Sequence, residues 1–408
     1  MERAGWEEEH TGQSFGGRTI KGKKKALARD AYNLVGQPMF KVLAKVNGLE
    51  AQGRRILHFE IGEPQFPSPA NVVQAAYDAL NAGQTHYVNS MGIQELREAV
   101  CDDTEKELGF RPTRQQVLIT PANAVIYFLI RCVVNRGEEV IFPDPGFPTY
   151  SAAISFTGVK PVRVALKEDN AFRLSPDDIR KVITNKARLI IINSPQNPTG
   201  AVMTKAEIEE VAAIAEEADV YLLSDETYSK ITYGAAHYSA SVNDHCQERT
   251  ILLNSFSKAY SMTGWRLGYA IGPEEVISKM GLLLETIISC VPPFIQYAGI
   301  TALSEGREYS HSMVANLRQR RDEIVRGLNS LPGVSCLSPS GAFYAFPNIT
   351  GTGLTSEQFV DLMLDKAGVA LLSGTNFGKY GEGYVRLSYA TSPEIIAEAI
   401  EAMRQVLQ

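Results

Sequence analysis

Three segments between Leu189 and Lys258 decide the fold: Leu189-Ile190-Ile191-Ile192-Asn193, Val220-Tyr221-Leu222-Leu223-Ser224 and Thr250-Ile251-Leu252-Leu253-Asn254. Each is a short, nearly unbroken apolar run, the pattern of a strand buried on both faces. Between the first two, Lys205–Ala218 sets Ile208, Val211, Ala212 and Ala215 on one side at helical spacing. This alternation predicts an α/β protein with a largely parallel sheet covered by helices on both faces. Working outward, Val117–Thr120 and Glu139–Phe142 read as further strands of that sheet. After about residue 300 the texture changes to a charged helical stretch, Leu317–Leu328, and short strands, Gly341–Pro347 and Tyr384–Tyr389. That reads as a second, smaller α+β domain.

The chain has 408 residues, 44% hydrophobic and 21% charged, an ordinary globular composition with room for a sizeable core. A net charge of −6 offers no broad attraction to nucleic acid or to an anionic membrane surface, so neither is expected as a partner. No apolar run is long enough to predict a membrane-spanning helix. Five cysteines, at 101, 132, 246, 290 and 336, form no C-x-x-C pair, which speaks against a disulfide framework or zinc ribbon and for a reducing, cytoplasmic setting. Six scattered histidines show no metal-ligand spacing. The segment up to Lys23-Lys24-Lys25, rich in glycine and charge, reads as a flexible arm over residues 1–26. Gly374–Lys379 resembles a phosphate-binding loop only loosely, because Tyr380 stands where Ser or Thr would hold magnesium; it reads as an ordinary loop.

In a parallel sheet, ligands bind outside the carboxyl ends of the strands. There the sequence delivers Asn193-Ser-Pro-Gln-Asn197-Pro-Thr-Gly200, then Asp225-Glu-Thr-Tyr228, then Ser255-Phe-Ser257-Lys258. Thr120-Pro-Ala122-Asn123-Ala124 follows an earlier strand and opens an apolar helix. Read one by one these residues are unremarkable: Lys258 a surface lysine, Asp225 a helix cap, Asn197 a turn residue before Pro198. Brought to one crevice they make a polar site.

The run S-F-S-K-A-Y-S-M-T-G-W-R-L-G-Y from Ser255, the upstream N-P-T-G and D-E-T-Y, and the downstream V-R-L-S-Y resemble the class I/II aminotransferases, in the same order. The resemblance runs from about Gly36 to near the C-terminus. It implies fold type I of the pyridoxal phosphate (PLP) enzymes: a three-layer α/β/α large domain over 67–306, and a small domain made of 27–66 together with 307–408. It implies transfer of an amino group between an L-amino acid and a 2-oxo acid through pyridoxamine phosphate.

By the same resemblance Lys258 holds PLP as a Schiff base and shuttles a proton, a task suited to a lysine kept neutral by burial. Asp225 pairs with the pyridine nitrogen, and Tyr228 and Asn197 bond the ring hydroxyl oxygen. Ser255, Ser257 and Arg266 bind the phosphate, together with the helix opening at Ala122, Asn123 and Ala124. Many relatives have glycine where Ala122 stands, so this contact requires a negative φ there. Phe147 stacks over the pyridine. Arg386 grips the substrate α-carboxylate in bidentate fashion, and Gly62 lies beside the substrate. Tyr87 reaches the phosphate of a partner subunit, which implies a homodimer with shared sites. Ser289–Phe294 is a candidate lining for the side-chain pocket. A lyase, a replacement or cyclisation enzyme or an oxidase on the same scaffold would use the same cofactor residues. A transcription regulator would need a DNA-binding module ahead of the ordered start, and a dead scaffold would not be expected to keep the whole set.

Overall fold

The computed structural model describes residues 26–27, 31–32, 34 and 36–408. Apart from Ala26, the expected N-terminal arm lies outside the described residues. A seven-stranded sheet runs in the order Val117–Ile119, Gly268–Ile271, Thr250–Ser255, Tyr221–Asp225, Ala187–Asn193, Glu139–Asp144, Lys160–Ala165. Gly268–Ile271 is antiparallel to both neighbours, and the remaining adjacent pairs are parallel.

Five of these strands follow the sequence expectation to within a residue or two. Two do not. Lys160–Ala165 lies at the sheet edge, and its exposed Lys160 and Pro161 interrupt the apolar pattern that marks buried strands. Charge and proline are what an edge strand uses to discourage further pairing. Gly268–Ile271 starts on the last two residues of the quoted lysine run and is only four residues long, too short an apolar stretch to mark a strand of its own.

Side chains alternate across the sheet with the period of two that strands impose. Leu118, Val140, Phe142, Leu189, Ile191, Leu223, Ile251, Leu253 and Ala270 meet helices Ala122–Val133, Pro148–Thr157 and Glu274–Ile288 on one face. On the other face, Ile141, Ile190, Ile192 and Leu222 meet Lys205–Glu217, while Val117, Ile119, Leu252 and Ile271 meet Gln94–Leu108 and Pro293–Glu305. The Lys205–Glu217 helix starts at a capping box: Thr204 Oγ1 accepts from the Glu207 amide at 3.2 Å, and Glu207 Oε2 accepts from the Thr204 amide at 2.8 Å.

A further core gathers Leu57 and Phe59 with residues from Met313 to Met403, around helices Arg307–Leu328 and Pro393–Leu407. Its strands are shorter than expected. Tyr344–Ala345 and Leu372–Ser373 flank Val385–Ser388 in antiparallel fashion, and Leu57–His58 pairs with Val369–Ala370 in parallel. Tyr228 and Tyr233 join this core, so it closes on the end of the sheet where Asp225 lies. Gly374–Lys379 is a turn that serves the protein's own carboxylate: Asp144 accepts from the amides of Lys379 at 3.2 Å and Tyr380 at 3.0 Å. Among the described residues, no helix is long and apolar enough to cross a membrane.

Candidate active site

The strand register places Asn193 beside Asp225 and Asp225 beside Leu253, so three parallel strands end level. A cavity of about 440 Å³ opens at these ends. Asn197, Asp225, Tyr228, Ser255, Ser257 and Lys258 line it from the strand ends; Gly62, Ala122, Asn123, Phe147 and Arg266 reach it from elsewhere.

Lys258 sits on the short helix Phe256–Ala259, whose start is capped by Ser255 Oγ accepting from the Ser257 amide at 3.1 Å. Its Nζ donates to the Gly62 carbonyl at 2.6 Å. Burial pushes the ammonium down to about 8; Glu63 opposes this, and Arg386 and Arg266 add to it. The folded amine is therefore neutral where the unfolded one, near 10.5, is still charged. Below about pH 8 both states carry the proton and the burial cost is present in full; it fades as pH rises from 8 toward 10.5. Relative to a Lys258→Met variant, the cofactor-free protein is expected to gain stability across that window. Paired denaturant titrations at pH 7 and pH 10 check this, and parallel behaviour of the two proteins would refute it.

Asp225 is buried, and its carboxylate is held from two sides. Tyr150 donates its hydroxyl to Oδ2 at 2.5 Å, and the Thr227 amide donates to Oδ1 at 3.2 Å. Burial raises its pKa, and the bonds from Tyr150 and Thr227 work the other way. The loop beyond Asn193 is fixed by Asn193 itself. Its Nδ2 donates to the Asp225 carbonyl at 3.0 Å, and its Oδ1 accepts from the Asn197 amide at 2.9 Å. This leaves the Asn197 side chain facing the cavity, where its Oδ1 accepts from Arg386 Nη1 at 3.3 Å.

Arg386 lies on Val385–Ser388 and is fully buried. Nη2 donates to the Glu60 carbonyl, and the guanidinium stacks over the rings of Tyr344 at 4.5 Å and Phe377 at 4.9 Å. Its Nε has no partner among the described residues. A buried cation held by neutral oxygens and rings, with one donor unused, is prepared for an anion.

Ala122 is the first residue of Ala122–Val133 and does not have positive φ, so the alanine meets the backbone requirement at this position. Its methyl fits because residue 268 is glycine; a Cβ there would stand 3.0 Å from that methyl and 2.8 Å from the Asn254 carbonyl. Arg266 adopts a left-handed φ of 57°, and its Nη1 donates to the Thr263 carbonyl at 2.7 Å.

The structure does not bring every expected residue to the lining. Ala124 lies further along the helix and donates its amide to the Pro121 carbonyl at 2.9 Å. Ser289–Phe294 is not in the lining, and Tyr87 is 87% exposed and outside it. Arg386 is fully buried behind Asn197 and Tyr344, both of which line the cavity while it does not. Three groups went unread in the sequence: Tyr150 behind Asp225, Tyr344 against Tyr228, and Gln37, Met39 and Phe40 at the mouth. Only Tyr150 carried a signal, three residues after Phe147 in Asp144-Pro-Gly-Phe147-Pro-Thr-Tyr150.

Comparison with known proteins gives the family of the chain. The family model described as aminotransferase class I and II covers residues 54–403. An aspartate aminotransferase of Pyrococcus horikoshii is 42% identical over 357 residues, 86% of this chain and 91% of that protein. The aromatic-amino-acid aminotransferase 2 of Thermococcus litoralis is 42% identical over 364 residues, 88% of this chain and 93% of its own. The solved structure of Thermus thermophilus aspartate aminotransferase with maleate superposes with a TM-score of 0.89 at 34% identity, covering 94% of this chain and 100% of that one. The chain belongs to the class I and II aminotransferases. It has their fold type I architecture and is an aminotransferase, in a family that works with PLP.

Proposed function

We propose that the cavity holds PLP on Lys258 and exchanges amino groups between an L-amino acid and a 2-oxo acid. One observation carries the reading most: a lysine whose ammonium is pushed down to about 8 shares one 440 Å³ cavity with a buried aspartate. The donor set fits a phosphorylated pyridine aldehyde: an amine, a carboxylate for the ring nitrogen, and hydroxyls, an arginine and a helix start for the phosphate. The bound group would supply an aldehyde carbon for amines and a ring that withdraws electrons from the substrate α-carbon.

Each residue then has a task. Lys258 is neutral often enough near pH 8 to act as the amine and to carry a proton from and to the α-carbon. Asp225, held by Tyr150 and Thr227, presents its carboxyl where a pyridinium would need a negative charge. Tyr228 and Asn197 would bond the ring hydroxyl oxygen, and Phe147 would cover the ring; all three line the cavity. Ser255, Ser257, Arg266 and the amides at Ala122 and Asn123 take the phosphate. Arg386 orients the substrate carboxylate, beside Gly62.

The second subunit belongs to the same proposal. Helix Ala70–Asn81 exposes Val73, Tyr77 and Leu80 at helical spacing, near in sequence to the fully projecting Tyr87. A second copy would cover these apolar groups and receive Tyr87 at its phosphate end. Sedimentation is expected to show a dimer; monomer alone at working concentration would remove the shared site. Two further points complete the reading. Leu57 and Phe59 share a core with Leu371 and Val385, which supports 27–66 and 307–408 acting as one small domain beside 67–306. The five free cysteines suit a cytoplasmic setting.

The test is a half-reaction. PLP-loaded protein is mixed with single amino acids and no oxo acid, starting with the aspartate and aromatic donors that the relatives' names suggest. One 2-oxo acid released per site supports the reading and identifies the donor. Ammonia, a replaced side chain or consumed oxygen would refute it.

A further inference from the structure

Tyr344 lies on the two-residue strand Tyr344–Ala345, opposite Ser388 on the strand that carries Arg386. Its side chain is 1% exposed, yet its edge lines the cavity. Its hydroxyl lies 2.6 Å from the Tyr228 hydroxyl, and among the described residues neither has another hydrogen-bond partner. The ring supports the Arg386 guanidinium at 4.5 Å. The backbone makes room for it: a methyl on Gly62 would overlap the Tyr344 hydroxyl, so glycine there is what lets the two tyrosines meet.

Each hydroxyl has one proton and can also accept. If Tyr228 turns its proton toward the ring oxygen of a bound cofactor, the 2.6 Å contact needs the proton of Tyr344. We infer that Tyr344 is a positioning residue: it donates to Tyr228, fixes the direction of the Tyr228 proton and strengthens Tyr228 as a donor toward the cofactor. A hydroxyl that is itself receiving a bond donates more strongly, which is the cooperativity of hydrogen-bonded chains. This inference rests on the PLP reading above.

The groups facing the pair are few. Arg386 acts on both tyrosines and Asp225 on Tyr228, while Glu63, Arg386 and Arg266 act on Lys258. A Tyr344→Phe change leaves all of these in place, together with the ring under Arg386, and removes one hydroxyl.

The experiment is a pH titration of the visible absorption band of PLP-loaded protein, for wild type, Tyr344→Phe, Tyr228→Phe and the double variant. Weakening the donor to the ring oxygen makes the lysine–cofactor linkage more basic. The midpoint is therefore expected to rise in Tyr344→Phe, by about half to one pH unit. Since Tyr344 acts through Tyr228, the double variant is expected to titrate with Tyr228→Phe. An unchanged midpoint in Tyr344→Phe, or additive shifts in the double variant, would overturn the inference; a fall in melting temperature alone would assign the hydroxyl a merely structural part. A wild-type protein with no such band would overturn the PLP reading, and this inference with it.

Discussion

Lys258→Ala is expected to lower transamination by about 10⁴-fold or more, with the fold intact. A positioned acid–base group contributes up to about 10⁴-fold, and here the same amine is also the covalent attachment point. The loss belongs to the amine alone. Among the described residues Lys258 makes one hydrogen bond, to the Gly62 carbonyl, and its burial opposes the charged form. Removing it leaves the Tyr150–Asp225 bond, the Asn193 loop and the Arg386 stack untouched. The melting temperature of the cofactor-free protein is therefore expected to hold or rise. Small added amines are expected to restore part of the proton transfer, because the space left is open to the cavity. Activity within about tenfold of wild type would show that another base moves the proton.

The second large effect is expected at Arg386. A carboxylate gripped by its fork gains two charge-assisted hydrogen bonds of about 1.5–3 kcal/mol each. Arg386→Leu is therefore expected to lower kcat/KM for amino acids by roughly 10²–10⁴-fold. An amine that lacks a carboxylate separates this role from a general one: wild type and variant should process it alike. Some stability should be lost as well, about 1–3 kcal/mol, because the Glu60 carbonyl and Asn197 Oδ1 lose their donor. Equal losses for amino acids and for simple amines would mean that Arg386 shapes the cavity and does not recognise the carboxylate.

What the sequence shows of this site follows from where the chain keeps it. Asn193, Asp225 and Ser255 are the last residues of three apolar strands, so the polar residue after each run announces itself. Level strand ends then turn three separate segments into one wall of the cavity. Arg386 is readable as an arginine between Val385 and Leu387, an unlikely place for a solvated charge. Tyr344 gives no such signal. It sits in Gly341-Ala-Phe-Tyr-Ala-Phe, where an aromatic residue reads as core, and core it is on all sides but one. Its meeting with Tyr228 depends on a long-range contact between the two parts of the fold and on a glycine at 62, neither of which is local. Tyr87 is legible only through resemblance, because it stands exposed and outside the cavity of its own chain. Gly268–Ile271 shows the same limit in the sheet. As the one reversed strand, it breaks the strand–helix–strand rhythm from which the rest was read.

The most direct measurement is borohydride reduction of the PLP-loaded protein, followed by peptide mapping by mass. Reduction fixes the cofactor to whichever lysine bears it. The expected result is one label per chain, on the peptide containing Ser257-Lys258-Ala259. Label on a different lysine, or none at saturating PLP, would contradict the assignment of this cavity to Lys258 chemistry.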